Sequence, residues 1–238
     1  MRKLLLISNS TNPGEPYLGW CNELLVQWTR TNTIKTALFV PFAGVTTSWD
    51  DYEAKVQKVF SAMGIQVRSI HHDADAKVAV EQAECIIVGG GNTWRLLNEC
   101  QVRNILPLIR TKALNGTPYI GWSAGSNLAC PTIKTTNDMP IVEPQSFDAL
   151  NLIPFQINPH YLDAHPQGHG GETREARIQE FIVLNTSVYV AGLREATALV
   201  VDNNDIQLVG REKSMRVFKH NLEPKEYPIG SPIIFLLD

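Results

Sequence analysis

The first half of the chain alternates between strand-like and helix-like segments. Leu4–Ile7, Ala37–Val40, Ile65–Ile70, Cys85–Val88 and Tyr119–Trp122 read as short strands, most of them wholly apolar. Between them lie segments with a helical period. Tyr17–Trp28 spaces Tyr17, Trp20, Leu24, Leu25 and Trp28 as one face of a helix. Asp50–Met63 puts Val56, Val59, Phe60 and Met63 on one stripe, with Gly64 as its stop. Ala76–Ala83 reads as a short helix, and helix follows Gly91 to about Leu114, with Pro107 at a start or break. A strand that is apolar on both faces needs helices above and below it, and parallel neighbours need long crossovers. The pattern therefore predicts an α/β fold with a mostly parallel sheet flanked by helices.

The second half changes character. Thr132 to about Gly171 is rich in Pro, Asn, His and Gly and has little periodic pattern, which in a compact domain points to function. Glu172–Leu184 reads as a helix. Ser187–Ala191, Thr197–Val201, Ile206–Val209 and Met215–Lys219 read as β segments, with a turn at Asn203–Asn204. The expectation is a C-terminal antiparallel β extension, with residues 1–238 forming one domain.

Composition narrows the class. Hydrophobic residues make up 44% of 238, enough for a large core. Lys+Arg is 21 against Asp+Glu 24, a net charge of −3, which argues against nucleic acid as a partner. No apolar run approaches the roughly 18–20 residues of a membrane span. Leu4–Ile7 behind Arg2 and Lys3 is too short for a signal peptide and reads as a first strand. Cys21, Cys85, Cys100 and Cys130 show no C-x-x-C spacing, as expected for reduced core thiols in a cytoplasmic protein.

Gly121-Trp122-Ser123-Ala124-Gly125 follows a strand and precedes a segment able to start a helix. This is G-x-S-x-G in the setting of a nucleophile elbow, a sharp turn that holds the Ser123 hydroxyl out at the carboxyl end of the sheet. A serine nucleophile needs a base, usually histidine. His71, His72 and His220 read as surface residues, whereas His160, His165 and His169 occupy the irregular segment. Pro159 stiffens the backbone at Asn158-Pro159-His160, so His160 is the favoured base. A metal site at His160, His165, His169 and Asp163 is disfavoured, because Pro166 and Gly168 break any helix that would make the imidazoles converge. Asp138 and Glu195 are the candidate acids, and Asp163 reads as a local backbone cap. Gly89-Gly90-Gly91-Asn92-Thr93 lacks the lysine of a phosphate-binding loop and reads as half of an oxyanion hole, with Gly91 and Ala124 as donors.

The Gly89–Thr93 loop, Gly121–Asn127 (GWSAGSN), Thr136–Pro140 (TNDMP), Asn158–Asp163 (NPHYLD), Glu172–Arg177 (ETREAR) and Gly192–Glu195 together resemble the aspartyl dipeptidase (peptidase E) group of the S51 serine peptidases. The resemblance covers most of the chain. It implies a flavodoxin-like fold related to class I glutamine amidotransferases, and hydrolysis of dipeptides with N-terminal aspartate without metal or cofactor. It implies Ser123 as nucleophile and His160 as base. It leaves the acid between Asp138, ranked first, and Glu195. The substrate aspartate calls for a cation, and Arg174 is the candidate. Asn92 is the second candidate substrate contact. A monomer or homodimer is expected. Position 126 departs from the family pattern, with Ser where Ala is more usual. The rival readings are a cyanophycinase-like β-aspartyl peptidase of the same family, an α/β-hydrolase esterase, and a non-catalytic binding module.

Overall fold

A computed structural model describes residues 1–163, 170–211 and 213–238. The chain runs β1 (Lys3–Ile7), α1 (Asn22–Thr31), β2 (Thr36–Val40), α2 (Trp49–Ser61), β3 (Gln66–Ser69), α3 (Ala76–Gln82), β4 (Ile86–Val88), α4 (Thr93–Val102), α5 (Leu106–Leu114), β5 (Tyr119–Trp122) and α6 (Ala124–Ala129). It continues with β6 (Gln156–Tyr161), α7 (Arg174–Leu184), β7 (Val190–Arg194), β8 (Thr197–Asp202), β9 (Asp205–Gly210), β10 (Met215–Lys219) and β11 (Leu222–Tyr227). One seven-stranded sheet has the order β3-β2-β4-β5-β1-β8-β9, with β1 to β5 parallel and β8 and β9 antiparallel. A second, four-stranded sheet has the order β11-β10-β7-β6.

Strand alternation explains the layers. Leu5 and Ile7 point to one face and pack with Leu25 and Trp28 of α1 and with Tyr52, Val56 and Phe60 of α2. Leu4 and Leu6 point to the other face, which carries Val80, Leu96, Leu97, Ile109 and Leu128 of α3 to α6. The expected mostly parallel, helix-flanked sheet is therefore present. The expected β-rich end is divided between the sheets: β8 and β9 extend the parallel sheet, while β7, β10 and β11 join β6.

Three local differences have clear causes. The first helix starts at Asn22, because Pro16 to Gly19 form a turn in which Leu18 takes a φ of 55°. The helix expected after Gly91 is two helices, separated near Asn104, whose φ is 53°, with Pro107 in the first turn of the second. Within the irregular segment, Gln156–Tyr161 is a strand. It lies at a sheet edge, where proline is tolerated, and side chains occupy its outer carbonyls. Asn127 Nδ2 and Thr135 Oγ1 donate to Ile157 O, and Asn137 Nδ2 donates to Pro159 O. These polar bonds from distant residues hold the segment without a hydrophobic period.

An ion network braces the second sheet. Arg194 of β7 bonds Asp163 and Glu226, and Arg216 of β10 bonds Glu175 and Glu226. Burial alone raises the Glu226 carboxyl, but donors from Arg194, Ser214 and Arg216 outweigh it and bring it down to about 2. A glutamate whose native value lies below its unfolded value stabilises the fold above that unfolded value, near pH 4.3, and loses the contribution as pH falls toward the native value. At pH 7, Glu226→Gln is expected to melt roughly 2–4 °C below the parent, as for a partly exposed pair worth on the order of 1 kcal/mol. In melts across a pH series the gap should close between about pH 4.5 and 2.

Candidate active site

Ser123 ends β5 and caps α6 in a backbone conformation, φ 52° and ψ −109°, that an L-residue adopts only under strain. The neighbouring glycines make that turn possible. A Cβ on Gly121 would stand 2.5 Å from Gly125 O, and one on Gly125 would stand 2.2 Å from Val88 O. A Cβ on Gly90 would press within 3.0 Å of Ser123 Cβ. The Ser126 hydroxyl is buried 2.8 Å from Ile7 O and 3.0 Å from Gly121 O. It ties β1 to β5 behind the elbow.

His160 arrives from the second sheet. Its φ is 53°, and the register of β6 against β7 shifts between Pro159 and Tyr161. A bulge of this kind re-aims a side chain. Its backbone N–H donates to Ser8 Oγ at 3.0 Å, and Ser8 Oγ donates to Leu193 O at 2.7 Å. Its Nε2 lies 2.9 Å from Ser123 Oγ, and its Nδ1 lies 2.8 Å from Glu195 Oε1. Glu195 sits in the short link between β7 and β8, where the chain passes from one sheet to the other. Asn9 Oδ1 accepts from Ala196 N at 2.8 Å and holds that link.

Asp138, ranked first as the acid, stands elsewhere. Its Oδ2 accepts from Thr93 N at 2.8 Å, Thr93 Oγ1 at 2.6 Å and Thr136 Oγ1 at 3.0 Å, so it completes the N-terminus of α4. Glu195 is the acid beside the imidazole. The Asn92 side chain is also engaged within the protein: Oδ1 caps Arg95 N, and Nδ2 donates to Met139 O. Asn137 Oδ1 accepts from Arg174, whose charge burial disfavours, with Arg177 adding to the effect and Asp138 opposing it.

A cavity of about 500 Å³ opens over Ser123 and His160. Tyr17, Tyr52, Lys55, the Ala43–Thr47 loop and Gly90–Asn92 wall it, and Arg174 is not among its lining residues. The cavity lies at the carboxyl ends of β1, β2, β4 and β5, the expected crevice of an open α/β sheet. Gly91 takes a φ of 134°, and a Cβ there would stand 2.3 Å from Ala43 O, which fixes the loop as glycine. His165 and His169 lie outside the described residues. His71 and His72 pair with Asp50 and Glu53, and none of the four lines the cavity. All four cysteines are free and buried, and burial pushes the Cys21 and Cys130 thiols up to about 12. No helix among the described residues is long and apolar enough to cross a membrane.

Sequence reasoning did not single out Ser8, Asn9, Asn137 or Lys55. A weak signal existed for Ser8 and Asn9: polar residues directly after a buried strand, where ligand crevices form.

A serine, a histidine and a carboxylate in hydrogen-bonded line at a strand–helix elbow define a serine hydrolase site. The family model for peptidase family S51 matches residues 4–209. A peptidase E from a Nostoc species is 48% identical over 237 residues, covering 100% of this chain and 97% of that protein. A peptidase E from Escherichia coli is 49% identical over 217 residues, covering 91% of this chain and 93% of its own. The crystal structure of a peptidase from an acI-B1 actinobacterium shares the fold, with a TM-score of 0.69 at 18% identity, covering 97% of this chain and 95% of that one. The chain belongs to peptidase family S51, and it is a serine peptidase.

Gly125→Ala is expected to force the elbow off Val88 O at a cost of about 1–3 kcal/mol, read as a lowered denaturant midpoint with an unchanged slope.

Proposed function

We propose that this peptidase hydrolyses dipeptides with an N-terminal aspartate, through an acyl-enzyme on Ser123. The observation that carries the reading is the unbroken line from Ser123 Oγ through the His160 imidazole to Glu195 Oε1. With Nδ1–H donated to Glu195, Nε2 is left as an acceptor facing the serine hydroxyl. In this reading His160 takes the Ser123 proton as Oγ attacks the aspartyl carbonyl, and Glu195 stabilises the imidazolium. The Gly91 and Ala124 N–H groups hold the oxyanion, helped by the N-terminus of α6. His160 then protonates the leaving amine, and water, deprotonated by the same imidazole, releases aspartate. Residues 1–238 act as one unit, since the nucleophile, base and acid come from widely separated stretches of chain.

Arg174 is our choice for the cation that reads the aspartate side chain. It is half-buried, and its neutral partner among the described residues, Asn137, is positioned by bonds to Asn158 and Pro159 O. A carboxylate would supply the counter-charge that burial makes valuable there.

Ser123→Ala should lower kcat by on the order of 10⁴-fold or more without lowering Tm. Glu195→Gln should cost on the order of 10²–10⁴-fold in kcat, whereas Asp138→Asn should stay within about tenfold and instead lose about 0.3–1 kcal/mol of stability. The reverse order of kcat losses would restore Asp138 as the acid. Arg174→Ala should lower kcat/KM on Asp-Leu far more than on Ala-Leu, and equal losses would remove it from specificity.

A further inference from the structure

An Asp-X dipeptide carries two carboxylates, the side chain of its first residue and the free α-carboxylate of its second. The Asp-X reading above, on which the following rests, gives Arg174 the first of them. The second needs its own partner, and the cavity offers one. Among the described residues lining it, Lys55 carries the only fixed charge. Its ammonium stands 4.1 Å over the Tyr17 ring and pairs with no carboxylate among the described residues.

The wall beneath Lys55 is built in register with the nucleophile. Tyr17 Oη lies 3.4 Å from Tyr52 Oη. Tyr52 Oη donates to Gly90 O at 2.9 Å and accepts from Trp122 Nε1 at 3.1 Å. Trp122 and Gly90 flank Ser123 directly, so Lys55 is anchored through two phenols to the turn that bears the serine. Burial raises both phenols above their ordinary value, so neither offers a competing anion.

Topology decides which carboxylate Lys55 faces. Lys55 stands on α2, which packs on the Leu5 and Ile7 face of the sheet. Arg174 bonds Asn137, whose neighbour Asp138 is fixed to α4 on the opposite, Leu4 and Leu6 face. Lys55 reaches the sheet edge at Ser123 from the α2 side, whereas Arg174 lies outside the cavity lining and is tied through Asn137 and Pro159 O to the strand that bears His160. A dipeptide lying across that edge, with its scissile carbonyl at Ser123, sends its aspartate side chain one way and its α-carboxylate the other.

We propose that Lys55 is the receptor for the free α-carboxylate of the leaving residue, and that it makes the enzyme favour a substrate that ends one residue after the scissile bond. A free acid places an anion at the ammonium, whereas an amidated or extended peptide places a neutral group there. A charge-assisted contact of this kind is worth roughly a 10–100-fold difference in kcat/KM.

The experiment measures kcat and KM for wild type, Lys55→Gln and Lys55→Arg on Asp-Leu and Asp-Leu-amide, and on Ala-Leu and Ala-Leu-amide. The wild type is expected to favour each acid over its amide by roughly 10–100-fold. Lys55→Gln should abolish that preference by raising KM for the acids, and Lys55→Arg should restore most of it. Lys55 is exposed on α2, so Tm should not move. Equal losses on acid and amide, or a wild type indifferent to amidation, would overturn the proposal. So would a Lys55→Gln variant that keeps the acid preference and loses the preference for Asp-Leu over Asn-Leu, because Lys55 would then read the side chain. Failure of aspartate selectivity itself registers separately, as equal wild-type turnover of Asp-Leu and Ala-Leu, and the alanyl pair still reads Lys55.

Discussion

The Ser8 hydroxyl is buried at the carboxyl end of β1, accepting the His160 N–H and donating to Leu193 O. With that one group, the end of a strand in the parallel sheet fixes two strands of the other sheet. Asn9 extends the joint by accepting the Ala196 N–H. The serine is built on the first sheet, the histidine on the second, and the glutamate on the link between them. Their alignment therefore depends on the seam more than on either sheet. Buried hydroxyl and amide groups suit this task, because each left unpaired would cost about 1–3 kcal/mol, and pairing requires one relative placement of the sheets.

Much of the parallel sheet could be read directly from the chain. Strands β1, β2, β4 and β5 are buried on both faces, so they stand out as apolar runs, and the elbow glycines are demanded by backbone approaches of 2.2–2.5 Å. The strand-to-helix elbow at Ser123 followed for the same reason. What stayed hidden was held by polar bonds between distant residues. The β6 strand contains Asn158 and Pro159 and satisfies its edge through Asn127, Thr135 and Asn137, so neither period nor propensity marks it. The β11 strand is mostly exposed and contains Pro224, an edge sequence with no hydrophobic signal.

The acid was ambiguous for a related reason. Asp138 and Glu195 both lie in motif-like stretches, and nothing local says which carboxylate will reach an imidazole. Thr93 and Thr136 turn Asp138 into a helix-terminus anchor, while the inter-sheet link delivers Glu195. The cations pose the same problem. Arg174 lies in a motif, whereas Lys55 looks in sequence like any solvated residue on a helix, and only the packing of α2 over β2 and β3 brings it to the cavity.

The backbone at Ser123 holds a conformation that glycine would adopt without strain. On the mechanism proposed above, folding and catalysis make opposite demands on this one residue. A chain selected for stability alone would drift toward glycine at this position, relieving the turn and losing the nucleophile together. On that mechanism, a serine kept there holds stability below what glycine would give, in exchange for turnover.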